Sequence, residues 1–321
     1  MRYHVIFNPN SGTALNLGLN HEALTTHFAK IHLDAHIDGG EDSLEQKIKR
    51  AAASDADAVL CAGGDGTFTA IARGLRGTDK PLGLLPLGTA NLLARDLGIP
   101  LKFEQALASL AEPRTVEIDV GEVNDRLFLH KVVIGVIPAI AAAREKLRGQ
   151  GSVASLRFLR YIYRRLADAR RTAVAITSRD TIDRIERIHA IAVANNAYDE
   201  GWGKIFHRTS LTDGVLTLYI LNRLTVADVL RLAAEMIAGR WQADDGIVIE
   251  KVRSVSLRTK RKRVAAMIDG EVEMLETPLK FRIRPKALRV LVPASAEFRP
   301  AGGEELADAD RTSLGLALRA S

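Results

Sequence analysis

A single cysteine in 321 residues, Cys61, excludes an internal disulfide framework and a zinc site built from thiolates. Long apolar runs are missing too: the longest, from Val132 to Ala143, is too short to cross a bilayer as a helix. The opening residues, MRYHVIFNPNSG, carry no cationic leader followed by an apolar stretch, so no secretory signal is expected and a reducing, cytoplasmic setting is. Two familiar phosphate-binding patterns are absent, G-x-x-x-x-G-K-[ST] and a helix-opening G-x-G-x-x-G. In HEALTTH, His21 to His27, the position four residues after the first histidine is Thr25, so the two imidazoles do not share a helical face as a zinc-protease pair would. There is no internal repeat. What is present is 47% hydrophobic and 26% charged sequence, enough for two packed domains. The net charge of +6 favours an anionic partner, whether nucleotide, nucleic acid or lipid surface.

The first third alternates strand and helix patterns. Tyr3–Phe7 reads as a strand; Leu24, Phe28 and Ile31 have helical spacing; Ser43 with Gln46 forms a capping-box pattern ahead of Leu44, Ile48 and Ala52. Ala58–Ala62 and Leu82–Leu85 read as strands, each followed by a helix, the second over Thr89–Leu97 and ended by Gly98 and Pro100. His32 and His36 fall in a stretch read as extended, and no chemistry is assigned to them. Such alternation implies a doubly wound α/β domain around a parallel sheet. From Thr115 on, period-two runs take over, as in Val116, Ile118, Val120 and in Leu216, Leu218, Ile220, with helical interruptions at Ala139–Arg171 and Thr225–Gly239. The expected organisation is an α/β domain over 1–112, a strand-rich β-sandwich domain over 113–284, and a return strand and tail over 285–321 packed on the first domain.

The stretch LCAGGDGTFTAIARGL, residues 60–75, places Gly63, Gly64 and Gly66 between a strand and a helix. Glycines there permit positive φ and bring backbone N–H groups close to a phosphate, beside the helix N-terminus. A tight turn with no ligand would use the same residues. Asp65 is unfavourable inside an anion cradle unless a divalent cation lies between it and the phosphates, which makes it a candidate for catalysis through that cation.

FNPNSG (Phe7–Gly12), GGDGT (Gly63–Thr67) and LPLGTANLLARDLGIP (Leu85–Pro100), in this order, resemble the diacylglycerol kinase catalytic domain family of lipid kinases, which includes sphingosine kinases and bacterial soluble lipid kinases. TDGVLTLYIL (Thr212–Leu221) and IDGEV (Ile268–Val272) extend the resemblance over nearly the whole chain. It implies ATP and Mg2+ as cofactors and phosphorylation of a lipid hydroxyl, diacylglycerol-like or sphingoid-like. Asn8 and Ser11 flank a turn suited to phosphate or ribose groups. Gly88, Thr89 and Asn91 open a second loop beside the first, and by resemblance Thr89, Asn91 and Arg95 join Thr67 in holding ATP. The same resemblance makes Asp269 the acceptor of the substrate proton, with Glu271 organising metal or base. It also makes Asp213 a magnesium ligand, together with main-chain oxygens of Ser210 and Val215.

Three positions depart from the family pattern. Leu92 stands where many relatives have an acidic residue, and His130 where asparagine is common. Asn196–Ser210, with Trp202 and Phe206, replaces a glycine-rich run. A small-molecule kinase of the NAD kinase type and a non-catalytic nucleotide-sensing, membrane-associated relative are the alternatives.

Between Arg144 and Arg171, nine cations (Arg144, Lys146, Arg148, Arg157, Arg160, Arg164, Arg165, Arg170, Arg171) face two acids, Glu145 and Asp168, with aromatic and aliphatic residues interleaved. Such a helix can lie on an anionic bilayer or stand as a solvated face. A second basic run, Arg258–Arg263, precedes the DGE motif. The expected partners are a lipid substrate and an anionic membrane surface at the inner membrane face; no nucleic acid is expected, and a homo-oligomer is left open.

Overall fold

The computed structural model describes residues 1–296 apart from 41, 147–150, 168–169, 179–182, 200–206, 224 and 244–245. The first lobe runs β1 (Arg2–Phe7), α1 (Gly12–Leu17), α2 (His21–Lys30), β2 (Asp34–Asp38), α3 (Leu44–Ala53), β3 (Ala58–Gly63), α4 (Asp65–Gly74), β4 (Leu82–Pro86), α5 (Leu92–Asp96) and α6 (Phe103–Ala108). Strands β1 and β3 are buried almost throughout, as expected of apolar runs covered on both faces. The Ser43–Gln46 capping box forms, closing the first turn of α3 reciprocally. Phe68, Ile71 and Ala72 give α4 its buried stripe, each large side chain contributing about 1.5–3 kcal/mol by leaving water.

The second lobe runs β5 (Pro113–Val123), β6 (Arg126–Phe128), β7 (Lys131–Gly135), α7 (Ile137–Lys146), α8 (Gly151–Ala167), β8 (Thr172–Ser178), β9 (Arg184–Ile188), β10 (Ala190–Asn195), β11 (Leu216–Leu221), α9 (Val226–Ala238), β12 (Ile247–Val252), β13 (Ser254–Thr259), β14 (Arg263–Ile268), β15 (Glu271–Glu276) and β16 (Leu279–Pro293). One sheet has the order β2-β1-β3-β4-β16-β13-β8-β9, with β5 also paired to β16 and β6 to β5; the other is β12-β11-β10-β7-β14-β15. The first four strands are parallel, and the whole second sheet is antiparallel. Val174, Leu257 and Phe281 from one sheet meet Val132, Ile191 and Leu218 from the other, forming the sandwich core.

Strand β16 belongs to both cores. Leu279, Phe281 and Ile283 are buried in the sandwich, whereas Leu288, Val290 and Val292 are buried with the first lobe. The register against β5 shifts between Arg284 and Leu288, where Lys286 has φ 53, and Val290 then pairs in parallel with Leu82 of β4. The α/β lobe, the sandwich and a strand returning to the first lobe thus match the fold class read from the sequence; that strand begins at Leu279 and serves both lobes, and residues 297–321 of the expected tail lie outside the described residues.

Two local expectations are corrected. The helix expected over Thr89–Leu97 is confined to Leu92–Asp96, because Asn91 takes a left-handed conformation (φ 46) and breaks the helical path before it. His32 also has positive φ (56) and lies in a turn, leaving only His36 in the extended stretch.

Candidate active site

Three loops meet at the carboxyl ends of the neighbouring parallel strands β1, β3 and β4, where ligand clefts of open α/β sheets form. Cross-links hold them together. Asn8 Nδ2 donates to Thr67 Oγ1 at 3.0 Å, and Thr13 Oγ1 donates to the Gly88 carbonyl at 3.0 Å. Asn8 Oδ1 accepts from Asn10 N, an Asx turn, while Ser11 Oγ donates to the Asn8 carbonyl. The resulting cleft of about 540 Å3 is lined by Asn8, Ser11, Gly64, Gly66, Thr67 and Thr89 on one side and Asp269 and Glu271 on the other. It joins the two lobes.

The glycines are required by close approach rather than by dihedral freedom. None of Gly63, Gly64, Gly66 and Gly88 has a positive φ, contrary to the expectation for the loop; Gly64 is extended at φ −99, ψ −178. A Cβ on Gly64 would lie 3.1 Å from Gly88 Cα, and one on Gly88 would lie 2.6 Å from Gly64 Cα. The two loops are therefore pressed backbone to backbone. A Cβ on Gly66 would lie 3.1 Å from Glu271 Oε1 across the cleft, and one on Gly63 would meet the Thr67 side chain.

Asp65 sits beside the cleft, not in its wall. Its Oδ2 and Oδ1 accept from the backbone N–H groups of Leu92 and Leu93, each at 3.2 Å, so the carboxylate caps α5 and satisfies its first free donors. Asn91 is similarly occupied. Its Oδ1 accepts from Gly88 N (2.9 Å) and its Nδ2 donates to the Gly88 carbonyl (2.8 Å), which rigidifies the second loop from within. Arg95 is exposed, and its Nε donates to the Ala90 carbonyl at 3.4 Å. Of the residues expected to hold nucleotide, Asn8, Ser11, Thr67 and Thr89 face the cleft, while Asn91 and Arg95, like Asp65, which was expected to act through a cation, make their bonds within the loops.

Asp269 and Gly270 are the two-residue loop of the β14–β15 hairpin, with φ 48 and 100, the double-positive pattern that D-G sequences favour. The hairpin turn and the site carboxylate are one feature. Asp269 Oδ1 accepts from His130 N (2.8 Å) and Lys131 N (3.0 Å), and Oδ2 accepts from Leu129 N (2.7 Å) and from the Thr69 hydroxyl (3.4 Å). Burial pushes its carboxyl above the ordinary 3.8, against the three backbone donors and nearby Arg208, which pull it down. Beside it, burial and then Arg208 lower the Lys131 ammonium to about 8, with Asp269 opposing them. Glu271 is exposed to the cleft and makes no hydrogen bond or ion pair among the described residues.

Sequence reasoning missed the strongest polar cluster. Arg208 is fully buried; its Nε and Nη2 donate to Asp96 Oδ2 at 2.9 and 2.7 Å, and Nη1 donates to the carbonyls of Leu129 (2.7 Å) and Asn195 (2.9 Å). Leu129 in turn donates its N–H to Asp269. His130, the departure noted above, stacks on Tyr198 with its Nδ1 3.3 Å from the Tyr198 hydroxyl; burial, then Arg208, lower its imidazole well below 6.5, leaving it neutral at pH 7. The only sequence signal was the altered loop itself, and Trp202 and Phe206 within it lie outside the described residues.

At the expected second metal site, Asp213 is exposed and Ser210 Oγ donates to its Oδ1 at 2.5 Å. The Val215 carbonyl accepts from Asn196 N at 3.0 Å. These are hard oxygen donors with a single carboxylate, which suits a hydrated magnesium ion rather than a softer metal. No group of three or more His, Cys, Asp or Glu arranged for a metal occurs among the described residues. The cleft's own carboxylates, Asp269 and Glu271, are few enough that an ion there would take its other ligands from phosphate and water, the usual condition for Mg2+.

A parallel-sheet lobe with three phosphate-sized loops, sharing its cleft with a β-sandwich that supplies the acidic hairpin, is the two-domain architecture of a kinase family. Residues 2–123 match the diacylglycerol kinase catalytic domain, and residues 131–292 match the YegS C-terminal NAD kinase beta sandwich-like domain; the chain belongs to the diacylglycerol kinase family that joins these two domains. It is 27% identical over 287 residues to a diacylglycerol kinase of Bacillus subtilis (strain 168), covering 84% of this chain and 89% of that one. A diacylglycerol kinase of Staphylococcus haemolyticus is 23% identical, with 83% and 81% covered. A crystal structure of a diacylglycerol kinase from Bacillus anthracis superposes with a TM-score of 0.64 at 19% identity, over 92% of this chain and 98% of that one, which shows a shared fold.

Proposed function

We propose that the protein transfers the γ-phosphoryl group of ATP to a lipid hydroxyl, with Asp269 as general base. The observation that supports this is the meeting of the GGDGT loop and the DGE hairpin across one cleft, with Gly66 against Glu271 and Thr69 against Asp269. Phosphoryl transfer demands positioned phosphates, charge compensation and an acceptor for the hydroxyl proton, and little else. Asn8, Ser11, Thr67, Thr89 and the backbone N–H groups of the glycine loops would hold the phosphates. Magnesium, when bound, would neutralise charge building on the transferred group, with Glu271 as its protein ligand.

The four acceptor positions of Asp269 are all taken, but unequally. The Thr69 hydroxyl, at 3.4 Å, is the longest of its bonds and the one that faces the cleft. A lipid hydroxyl would take that place on Oδ2. As its oxygen bonds to the γ-phosphorus, the bond from phosphorus to the β,γ-bridging oxygen breaks, ADP leaves, and the proton passes to Asp269. The three backbone N–H bonds keep the carboxylate oriented, while its buried setting keeps its basicity above that of a solvated aspartate.

Exposed Arg160, Arg164 and Arg165 along α8 support an anionic lipid surface as the setting of the reaction. No described helix is long and apolar enough to cross a membrane. A radiolabelled-ATP assay against total lipid extract, with NAD present as a competing acceptor, tests the reading. Labelled lipid is expected; label in the NAD fraction alone would overturn it.

A further inference from the structure

Two basic runs that are far apart in sequence meet around one cavity in the sandwich lobe. Arg165, Arg170 and Arg171, at the end of α8 and beyond it, line it from one side; Lys260, Arg261 and Arg263, from the β13–β14 turn, line it from the other. All six are exposed and none forms an ion pair among the described residues. Glu276 stands opposite Arg263 in the β14–β15 register without pairing to it, and no acidic residue lines the cavity among the described residues. Six cations with no acidic partner among the described residues, around about 660 Å3 of open space, repel one another, a cost that a bound anion would offset.

The wall identifies the kind of anion. Val136, Ala139 and Val264, all half-buried, and the exposed Met274 give the cavity an aliphatic wall, backed by Ile134, Val174 and Ile188 of the sandwich core. Among the described residues no Phe, Tyr or Trp lines the cavity and its one ring is the half-buried His189, so it lacks the series of stacking platforms that single-stranded nucleic acid uses. A cationic rim beside an aliphatic wall matches a molecule that carries phosphate at one end and hydrocarbon at the other.

We infer that this cavity binds the headgroup phosphate of an anionic phospholipid other than the acceptor, and thereby seats the cleft on an anionic bilayer. The inference deepens the membrane part of the function proposed above and is tested without catalysis. That the lipid is a second one follows from distance. Asp269 N donates to the Lys131 carbonyl at the start of β7, and the cavity is reached at Ile134–Gly135 on β7 and at Arg263–Val264 on β14. At about 3.3 Å per strand residue the cavity lies roughly 10–13 Å from Asp269 along β7 and roughly 17–20 Å along β14. A glycerophospholipid held by its phosphate at the rim cannot also present its headgroup hydroxyl to that carboxylate.

The test is sedimentation of the full chain with vesicles of phosphatidylcholine alone or mixed with phosphatidylglycerol, in the absence of nucleotide. The triple variant Arg171→Gln, Arg261→Gln, Arg263→Gln is compared with Lys30→Gln, Lys102→Gln, Lys251→Gln, which removes the same charge from exposed sites elsewhere. At roughly fivefold per cation near an anionic surface, the cavity variant is expected to bind mixed vesicles about 100-fold more weakly, with no change on phosphatidylcholine. Its turnover of a detergent-solubilised acceptor is expected to stay at the wild-type level, which separates failure of the docking site from failure of the kinase reading. Equal weakening in the two triple variants, wild-type binding by the cavity variant, or no preference of the wild type for mixed vesicles would overturn the inference. Titration with inorganic phosphate supplies the remaining arm: cavity-dependent binding of free phosphate with no vesicle preference would make the site one for a soluble anion.

Discussion

Asp96 and Arg208, 112 positions apart in sequence, form a buried ion pair with Nη2 2.7 Å from Oδ2 and both side chains almost wholly out of water. Asp96 ends the helix whose start is capped by Asp65, and Arg208 holds the carbonyl of Leu129, whose N–H reaches Asp269. A continuous set of polar bonds therefore runs from the GGDGT loop to the site carboxylate. Removing one partner leaves a buried charge uncompensated, so Arg208→Met is expected to cost about 3–5 kcal/mol in urea unfolding. The double variant Asp96→Leu, Arg208→Met should recover most of that stability while retaining a lowered kcat, because the Leu129–Lys131 segment loses its anchor. Wild-type turnover in the double variant would confine the pair to a structural role.

Asp269→Ala is expected to lower kcat by about 10²- to 10⁴-fold with ATP affinity near that of the wild type, since the nucleotide loops lie on the other lobe. The pH profile supplies an independent check. A base is active only when deprotonated, and burial raises the Asp269 carboxyl above 3.8, so the acid limb of kcat should fall at a higher pH than a solvated aspartate would give.

Among the loop glycines, the severity of alanine substitution should follow what the new Cβ meets. Gly88→Ala presses on the Gly64 backbone at 2.6 Å and on Asn91 Oδ1 at 2.7 Å, whereas Gly66→Ala meets only the mobile end of Glu271 at 3.1 Å. Calorimetric titration with ATP should show a large loss for the first and a small one for the second. Similar losses would mean that the loop conformation, not the close approach, sets affinity.

Glu122, buried on β5 between Arg282 and Arg284, is held down to about 2, chiefly by its hydrogen bond with Arg282. The folded value lies below the ordinary 4.5, so its contribution is complete above about pH 4.5 and is lost as pH falls towards 2. About 2–3 kcal/mol of stability should disappear over that window. Glu122→Gln should flatten this acid dependence in denaturant titrations at stepped pH.

Asp65→Ala removes the cap from Leu92 and Leu93, an effect of about 0.5–2 kcal/mol on the 88–97 segment. The expected signature is a raised KM for ATP with modest loss of thermal stability. An unchanged KM together with abolished kcat would return Asp65 to a role at the reacting phosphates.

The alternation of apolar strands and capped helices made the first lobe legible, because each element there is specified locally, as Ser43 and Gln46 are for α3. The motif order likewise brought GGDGT and DGE to one place. Hidden from the sequence was which way each polar side chain would turn. Asp65 points at backbone N–H groups that become free only because Asn91 breaks the preceding helical path, a tertiary circumstance with no linear signature. Arg208 was unreadable for a related reason: a lone arginine in an irregular loop looks solvent-facing until a distant acid is folded onto it. The six cations of the sandwich cavity were visible as two separate runs, but their convergence depends on the antiparallel pairing of β8 with β13.

Strand β16 serves the hydrophobic centres of both lobes and is the neighbour of β4 in the first sheet. Until it is in place, β4 has an unpaired edge, and the parallel sheet that carries the nucleotide loops is open to association with other chains. During synthesis, then, the first lobe must wait for the roughly 180 residues between 112 and 293 before it can close, so a fragment ending near residue 112 is expected to aggregate unless residues 279–293 are supplied with it. A graft of those residues directly after α6 is the form in which the nucleotide lobe should become soluble by itself.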